Sequence, residues 1–157
     1  MVDALDPEPL EYVLMRVADH LQRRFTDALR PHGLSPRQFS ALAVLAHAPQ
    51  TTAADLARAV LVKPQSVGPL LDQLEEAHLV RRADRRGRGV PAPVTLTEAG
   101  RERLEEASRA VLALDAETRR VVGSDHARVV AALRRLEAAL IAPAVEAWTG
   151  ASPDGLP

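Results

Sequence analysis

KPQSVGPLLDQLEEAHLVRRADRRGRGVPAPVTLTEAG, residues 63–100, changes its pattern three times within its length. Pro64 stands where a first-turn proline belongs, and Val67, Leu70, Leu71 and Leu74 recur at steps of three and four, so the stretch opens as a helix ending near Ala77-His78. Leu79–Ala83 and Val94–Thr97 are short and β-prone, whereas ADRRGRGVPAP between them is too rich in Gly, Pro and Arg to be regular. A hairpin with a long basic loop follows from that contrast. Thr97-Glu98-Ala99-Gly100 then starts a further helix. Gly68-Pro69 is an irregularity inside the first of these elements: the proline frees the carbonyl of Gln65 and disfavours helical geometry at Gly68, so the helix either bends there or has an irregular first turn.

Upstream, Thr52 can cap a short helix from Ala53 to about Val60, with Asp55 at the capping-box position in place of the usual Glu or Gln and with Leu56 and Ala57 facing inward. Ser35-Pro36 reads as N-cap and first residue of the helix before it, whose stripe is Phe39, Leu42, Ala43 and Leu45 and which stops near Ala48-Pro49. The first helix runs from Pro9 to about Arg30 on Leu10, Val13, Leu14, Val17, Leu21, Phe25 and Leu29, and Pro31-His32-Gly33 ends it.

Downstream, Leu104, Ala107, Val111, Leu114, Thr118 and Val121 mark a long helix broken by Gly123-Ser124-Asp125. Ser124 is expected to cap a last helix carrying Val129, Val130, Leu133, Leu136, Leu140 and Ile141, which Pro143 limits. From Thr149 the chain reads as a frayed tail. The long first and last helices carry more apolar stripe than they can bury among themselves, so a homodimer is expected in preference to a monomeric bundle.

Composition narrows the function. The chain has 157 residues, enough for one domain with a helical extension and too few for a two-domain enzyme. Its apolar content rests on Ala, Leu and Val with only 3% aromatics, which favours helices. There is no Cys, which removes disulfides, thiolate metal sites and cysteine nucleophiles together. His20, His32, His47, His78 and His126 are scattered without metal spacing, and no phosphate loop or nucleophile elbow is present; neither an enzyme nor a cofactor or metal site is expected. The first residues lack the pattern of a signal peptide and no apolar run reaches membrane-spanning length, so a cytoplasmic location is expected. Net charge is −1, yet residues 33–97 carry eight basic groups against five acids, and 81–88 alone hold five Arg and one Asp. A compact positive patch sits on a neutral to acidic body.

Three stretches in order resemble the MarR-type winged-helix transcriptional regulators. GLSPRQFSALAVLA, residues 33–46, is similar to the family's second helix and its entry; KPQSVGPLLDQLEEAHLVRR, residues 63–82, is similar to its recognition helix running into the first wing strand. VTLTEAGRERLEE, residues 94–106, resembles the second wing strand and the start of the dimerisation helix, and with the helix order the resemblance covers about residues 10–141. Two features depart from the pattern: His78 stands where the family commonly has Gly, and Asp84, Arg85 and Arg86 lie earlier than its usual wing Asp and Arg pair. The resemblance implies a mainly α fold with a small β-hairpin wing. A winged helix-turn-helix domain would occupy residues 34–98, a helical dimerisation region 9–32 and 99–147, and a flexible tail 148–157.

It also implies a homodimeric, ligand-responsive repressor on a pseudo-palindromic duplex. In such a protein Gln65, with its donor and acceptor, suits adenine N6/N7; Ser66 suits a base or a phosphate, and Lys63 suits a phosphate as a point charge. Gly68 would permit close backbone approach to DNA. Arg37 and the helix end at Ser35 would hold backbone phosphate. Of Arg81 and Arg82, on opposite faces of a strand, one would face phosphate, with Arg82 the candidate. Arg85, Arg86 and Arg88 would reach a minor groove. A small aromatic or phenolic effector is implied too, for which Arg16, His20 and Arg24 on the first helix are candidates. The alternative, a winged-helix interaction module without DNA binding, has no need of five Arg in eight residues.

Overall fold

Residues 8–49, 51–60, 62–83 and 93–141 are described in the computed structural model. The chain divides into two units, Met1–Asp115 and Ala116–Pro157. In the first, α1 (Leu10–Leu29) runs into a 3-10 turn at Arg30–His32, where Gly33 takes a left-handed φ of 65° and donates its N–H to the Arg30 carbonyl at 3.0 Å. The stop expected at Pro31-His32-Gly33 is therefore a left-handed glycine cap. Next, α2 (Pro36–His47) opens with a full capping box: the Gln38 N–H donates to Ser35 Oγ at 3.2 Å, and the Ser35 N–H to Gln38 Oε1 at 2.8 Å. α3 (Ala53–Ala59) is capped by Thr52, whose Oγ1 accepts from the Asp55 N–H at 3.1 Å. Asp55 is too short to close the box in the usual way, and it accepts a hydrogen bond from the Thr52 hydroxyl at 2.6 Å instead.

α4 (Pro64–Glu76) passes through Gly68-Pro69 as one helix, starting on Pro64 as expected. It stops in a Schellman arrangement: the Leu79 N–H reaches the Leu74 carbonyl and the His78 N–H that of Glu75, both at 2.9 Å. The residue that must turn left-handed is His78, at φ 56°, where glycine would ordinarily stand.

β2 (Val80–Arg82) and β3 (Pro93–Leu96) form the expected antiparallel pair, with Val80 opposite Leu96 and Arg82 opposite Val94. A third strand, β1 (Thr51–Thr52), adds to the other side of β3, giving the order β1-β3-β2. Two residues carry no periodicity, so nothing local announced it. Thr51 is buried there and its hydroxyl is satisfied by the Ala48 carbonyl at 2.6 Å.

α5 (Glu98–Val122) is seated on this frame by its first turns. Thr97 donates its N–H to the Leu79 carbonyl at 3.1 Å and its hydroxyl to the His78 carbonyl at 2.7 Å, and its Oγ1 accepts the Gly100 N–H at 3.0 Å. A Cβ on Gly100 would lie 2.0 Å from the Leu79 carbonyl oxygen, so only glycine allows this approach. Arg103 adds a hydrogen bond to the His32 carbonyl at 2.8 Å.

The core they enclose is aliphatic: Leu29, Leu42, Leu56, Leu71, Leu74 and Val94 are its largest fully buried side chains, and Leu104 and Ala107 join from α5. Burying each leucine contributes about 1.5–3 kcal/mol. Phe25 and Phe39 meet edge to face at 5.7 Å on its margin.

In the second unit the end of α5 is followed by a 3-10 turn, Gly123–Asp125, and α6 (His126–Ile141). Gly123 breaks the helix at φ 63°. Ser124 does not cap α6 as expected: it lies inside the 3-10 turn, because the left-handed residue at Gly123 starts a new turn at once and moves the start of α6 to His126. No described residue of α6 is buried; Val129, Leu133, Leu136 and Leu140 are exposed on it. The expected tail, and the expected limit at Pro143, lie outside the described residues.

Candidate nucleic-acid interface

The site begins with the division of α4 into two faces. Val67, Leu70, Leu71 and Leu74 are buried, which by helical period leaves Gln65, Pro69, Asp72, Gln73 and Glu76 exposed. Lys63 is the exposed N-cap, and its carbonyl accepts from the Ser66 N–H at 2.8 Å. Gly68 faces open space, with no atom within 4 Å of where a Cβ would be.

The start of α2 opens on the same groove. A concavity of about 610 Å³ is lined by Ser35, Pro36 and Arg37 of the α2 entry, by Val62, Gln65, Ser66, Pro69, Leu70 and Gln73, and by Gln22 and Thr26 of α1. A hydrogen bond from Gln38 Nε2 to Gln73 Oε1, 3.3 Å, ties the two helices beside it. Four of the expected residues, Ser35, Arg37, Gln65 and Ser66, are thus brought together from two elements separated by about one helix. Lys63 and Gly68 adjoin the groove on α4 without lining it. The arrangement offers amide and hydroxyl groups with both donor and acceptor character and one guanidinium, which suits an extended polar anion better than an apolar ligand.

Sequence reasoning missed Gln22, Thr26 and Gln73. Gln73 shares the exposed face of α4 with Gln65 and was readable from the helical period; the α1 residues arrive only through packing.

Strand alternation places Arg81 outward and Arg82 half-buried, on opposite faces as expected. Arg82, expected at a phosphate, turns back onto α4. Its Nε donates to Glu75 Oε2 at 2.8 Å, its backbone N–H to Glu75 Oε1 at 3.2 Å, and its Nη2 to Asp72. The Arg82 N–H, followed by its guanidinium, holds the Glu75 carboxyl below the ordinary glutamate range. At the cap of α3 the Thr52 hydroxyl, then Arg58, lowers Asp55 in the same sense. Arg85, Arg86 and Arg88 lie outside the described residues.

The three effector candidates share one exposed side of α1. Arg16 is ion-paired with Glu8, with Nη2 to Oε2 at 2.9 Å, and His20 and Arg24 are exposed. None of them lines the groove at α2 and α4. Among the described residues no group of three His, Cys, Asp or Glu is placed to hold a metal ion, and no helix is long and apolar enough to cross a membrane.

Residues 32–89 match the model of the MarR family. The chain is 38% identical over 111 residues to the HTH-type transcriptional repressor Rv2887 of Mycobacterium tuberculosis, covering 71% of this chain and 80% of that protein. The solved structure of Rv2887 in complex with DNA superposes with a TM-score of 0.65 at 34% identity over 83% of this chain and 96% of that one. Its complex with salicylic acid does so with a TM-score of 0.62 at 35% identity over 83% and 95%.

Proposed function

The chain belongs to the MarR family, and on that footing we propose that it is a sequence-specific DNA-binding transcriptional regulator, acting as a repressor, that binds a pseudo-palindromic duplex as a homodimer. The observation that carries this reading is the shared groove at the starts of α2 and α4, where Ser35, Arg37, Gln65 and Ser66 converge beside an exposed helix face. α4 enters the major groove with Gln65 reading a base edge and Ser66 a base or phosphate. Lys63 and Arg37 neutralise phosphates on either side, and Gly68, with no side chain to hold the backbone away, allows close approach. Arg85, Arg86 and Arg88 extend the contact from the wing into a minor groove. The solved complex of Rv2887 with DNA supports DNA binding as the reading of this groove.

The homodimer accounts for the apolar residues left exposed on α1 and α6, among them Leu10, Met15, Leu133 and Leu140. A small aromatic acid is the proposed effector, supported by the salicylic acid complex of Rv2887, with Arg16, His20 and Arg24 as the candidate cationic lining. No catalytic role is proposed.

Selection of duplexes from a random pool by the full chain tests the reading. It should return two half-sites about 10 bp apart, centre to centre. Gln65→Ala should cost about 1–3 kcal/mol at one base position per half-site and relax preference there. An unchanged preference at every position would show that α4 docks differently, and the absence of any enriched sequence would return the protein to an interaction module.

A further inference from the structure

Arg82 lies on the strand that leads into the basic loop, and its guanidinium is turned back onto α4. Its Nε and Nη2 are taken by carboxylates three residues apart on one side of α4, Glu75 and Asp72, and its backbone N–H is taken by Glu75 as well. Between strand and helix stands only the turn at His78, a side-chain-bearing residue in a left-handed conformation. On the same face of β2, two residues before Arg82, Val80 is buried in the core, so the inward face of the strand is held by apolar contact at its start and by this cluster at its end.

We propose that Arg82 is a positioning residue: with Asp72 and Glu75 it locks β2 to α4 and so sets the geometry in which recognition helix and wing meet DNA together. The inference rests on the DNA-binding reading above. Arg82 side-chain exposure is 35%, with Asp72 at 56% and Glu75 at 39%, so solvent screens the pairs and they contribute little to global stability. Their effect is on orientation. Two contact elements joined through a short turn bind one duplex well only if their mutual angle is fixed beforehand, since disorder between them must otherwise be removed on binding. Arg82 also offsets one of the two negative charges that Asp72 and Glu75 place on the helix proposed to meet a polyanion.

The two roles open to Arg82 predict opposite signs. If Arg82 neutralises a phosphate, removing the acids frees it and lowers repulsion, so Asp72→Asn combined with Glu75→Ala should tighten binding. If Arg82 positions the wing, the same change should weaken it. The experiment uses a duplex enriched by the wild-type chain and measures affinity at several salt concentrations for Arg82→Ala, Arg82→Lys, Asp72→Asn/Glu75→Ala and the triple variant, with circular dichroism to verify folding.

Positioning predicts that Arg82→Ala and the acid pair each weaken binding about three- to tenfold, and that the triple variant is no worse than either. The slope of log K against log salt should stay at the wild-type value, and Arg82→Lys, which loses the fork geometry, should be impaired. Exchange of the Arg82 amide hydrogen should accelerate when Glu75 is removed. A slope flattened by about 0.9 per protomer in Arg82→Ala, with tighter binding by the acid variant and normal binding by Arg82→Lys, would make Arg82 a phosphate contact and overturn the inference. Variants indistinguishable from wild type would overturn it alone, whereas failure of the wild-type chain to retain any duplex would remove the DNA-binding reading and this inference with it.

Discussion

Gly100 and His78 stand on the two sides of one junction, where the turn after α4 meets the start of α5, and they solve opposite problems. At Gly100 the constraint is space. A methyl group would meet the Leu79 carbonyl oxygen at 2.0 Å, and that oxygen is fixed by the Thr97 N–H, so neither partner can yield cheaply. Gly100→Ala is therefore expected to destabilise the fold by more than about 2 kcal/mol despite the better helix propensity of alanine. Thermal unfolding would reveal it, and an unchanged midpoint would mean that the two segments are not in contact. At His78 the constraint is backbone conformation. A histidine at φ 56° pays a left-handed penalty that glycine avoids, partly offset by the greater unfolded-state freedom of glycine. His78→Gly should raise stability by about 0.5–1 kcal/mol in the same measurement. Both positions stood out in the sequence as a motif glycine and a missing one; the reason is a partner far along the chain for Gly100 and the local cap of α4 for His78.

Among the elements, the helices were legible and the sheet only in part. Ser35-Pro36 and Lys63-Pro64 each mark a helix start, because a capping or extended residue followed by proline is a local arrangement that needs no distant partner. Pro69 was equally visible, yet its consequence was decided by packing: Val67, Leu70 and Leu71 hold α4 together across it. The wing tests how far charge in a loop can be read without geometry. Replacing Arg85, Arg86 and Arg88 by Ala should remove up to three phosphate contacts per subunit, or six per dimer. At about 0.9 unit of slope per contact, the salt dependence of binding should flatten by up to several units while far-UV circular dichroism stays nearly constant. Equal slopes and equal affinities for wild type and triple variant would reduce the arginine run to a solvated loop.

For the whole molecule the governing feature is apolar surface left exposed among the described residues of each unit. Val121 is 88% exposed and Leu140 77%, and Leu10, Met15 and Leu133 are exposed as well. Sedimentation should find a dimer at micromolar concentration, and Leu133→Glu with Leu140→Glu should convert it to a monomer that has lost affinity for paired half-sites. A wild-type monomer would remove the palindrome from the model. Helix order, helix starts, the hairpin strands and the concentration of arginine after α4 were legible in the chain alone, because caps, apolar period and charge act within a few residues. Long-range packing was needed to show that Thr51 and Thr52 add a third strand, that Gln22 and Thr26 of α1 border the groove, and that Arg82 is spent on Asp72 and Glu75. Each of these depends on partners seven or more residues away, and no local propensity records which distant side chain a folded backbone will bring within hydrogen-bond reach.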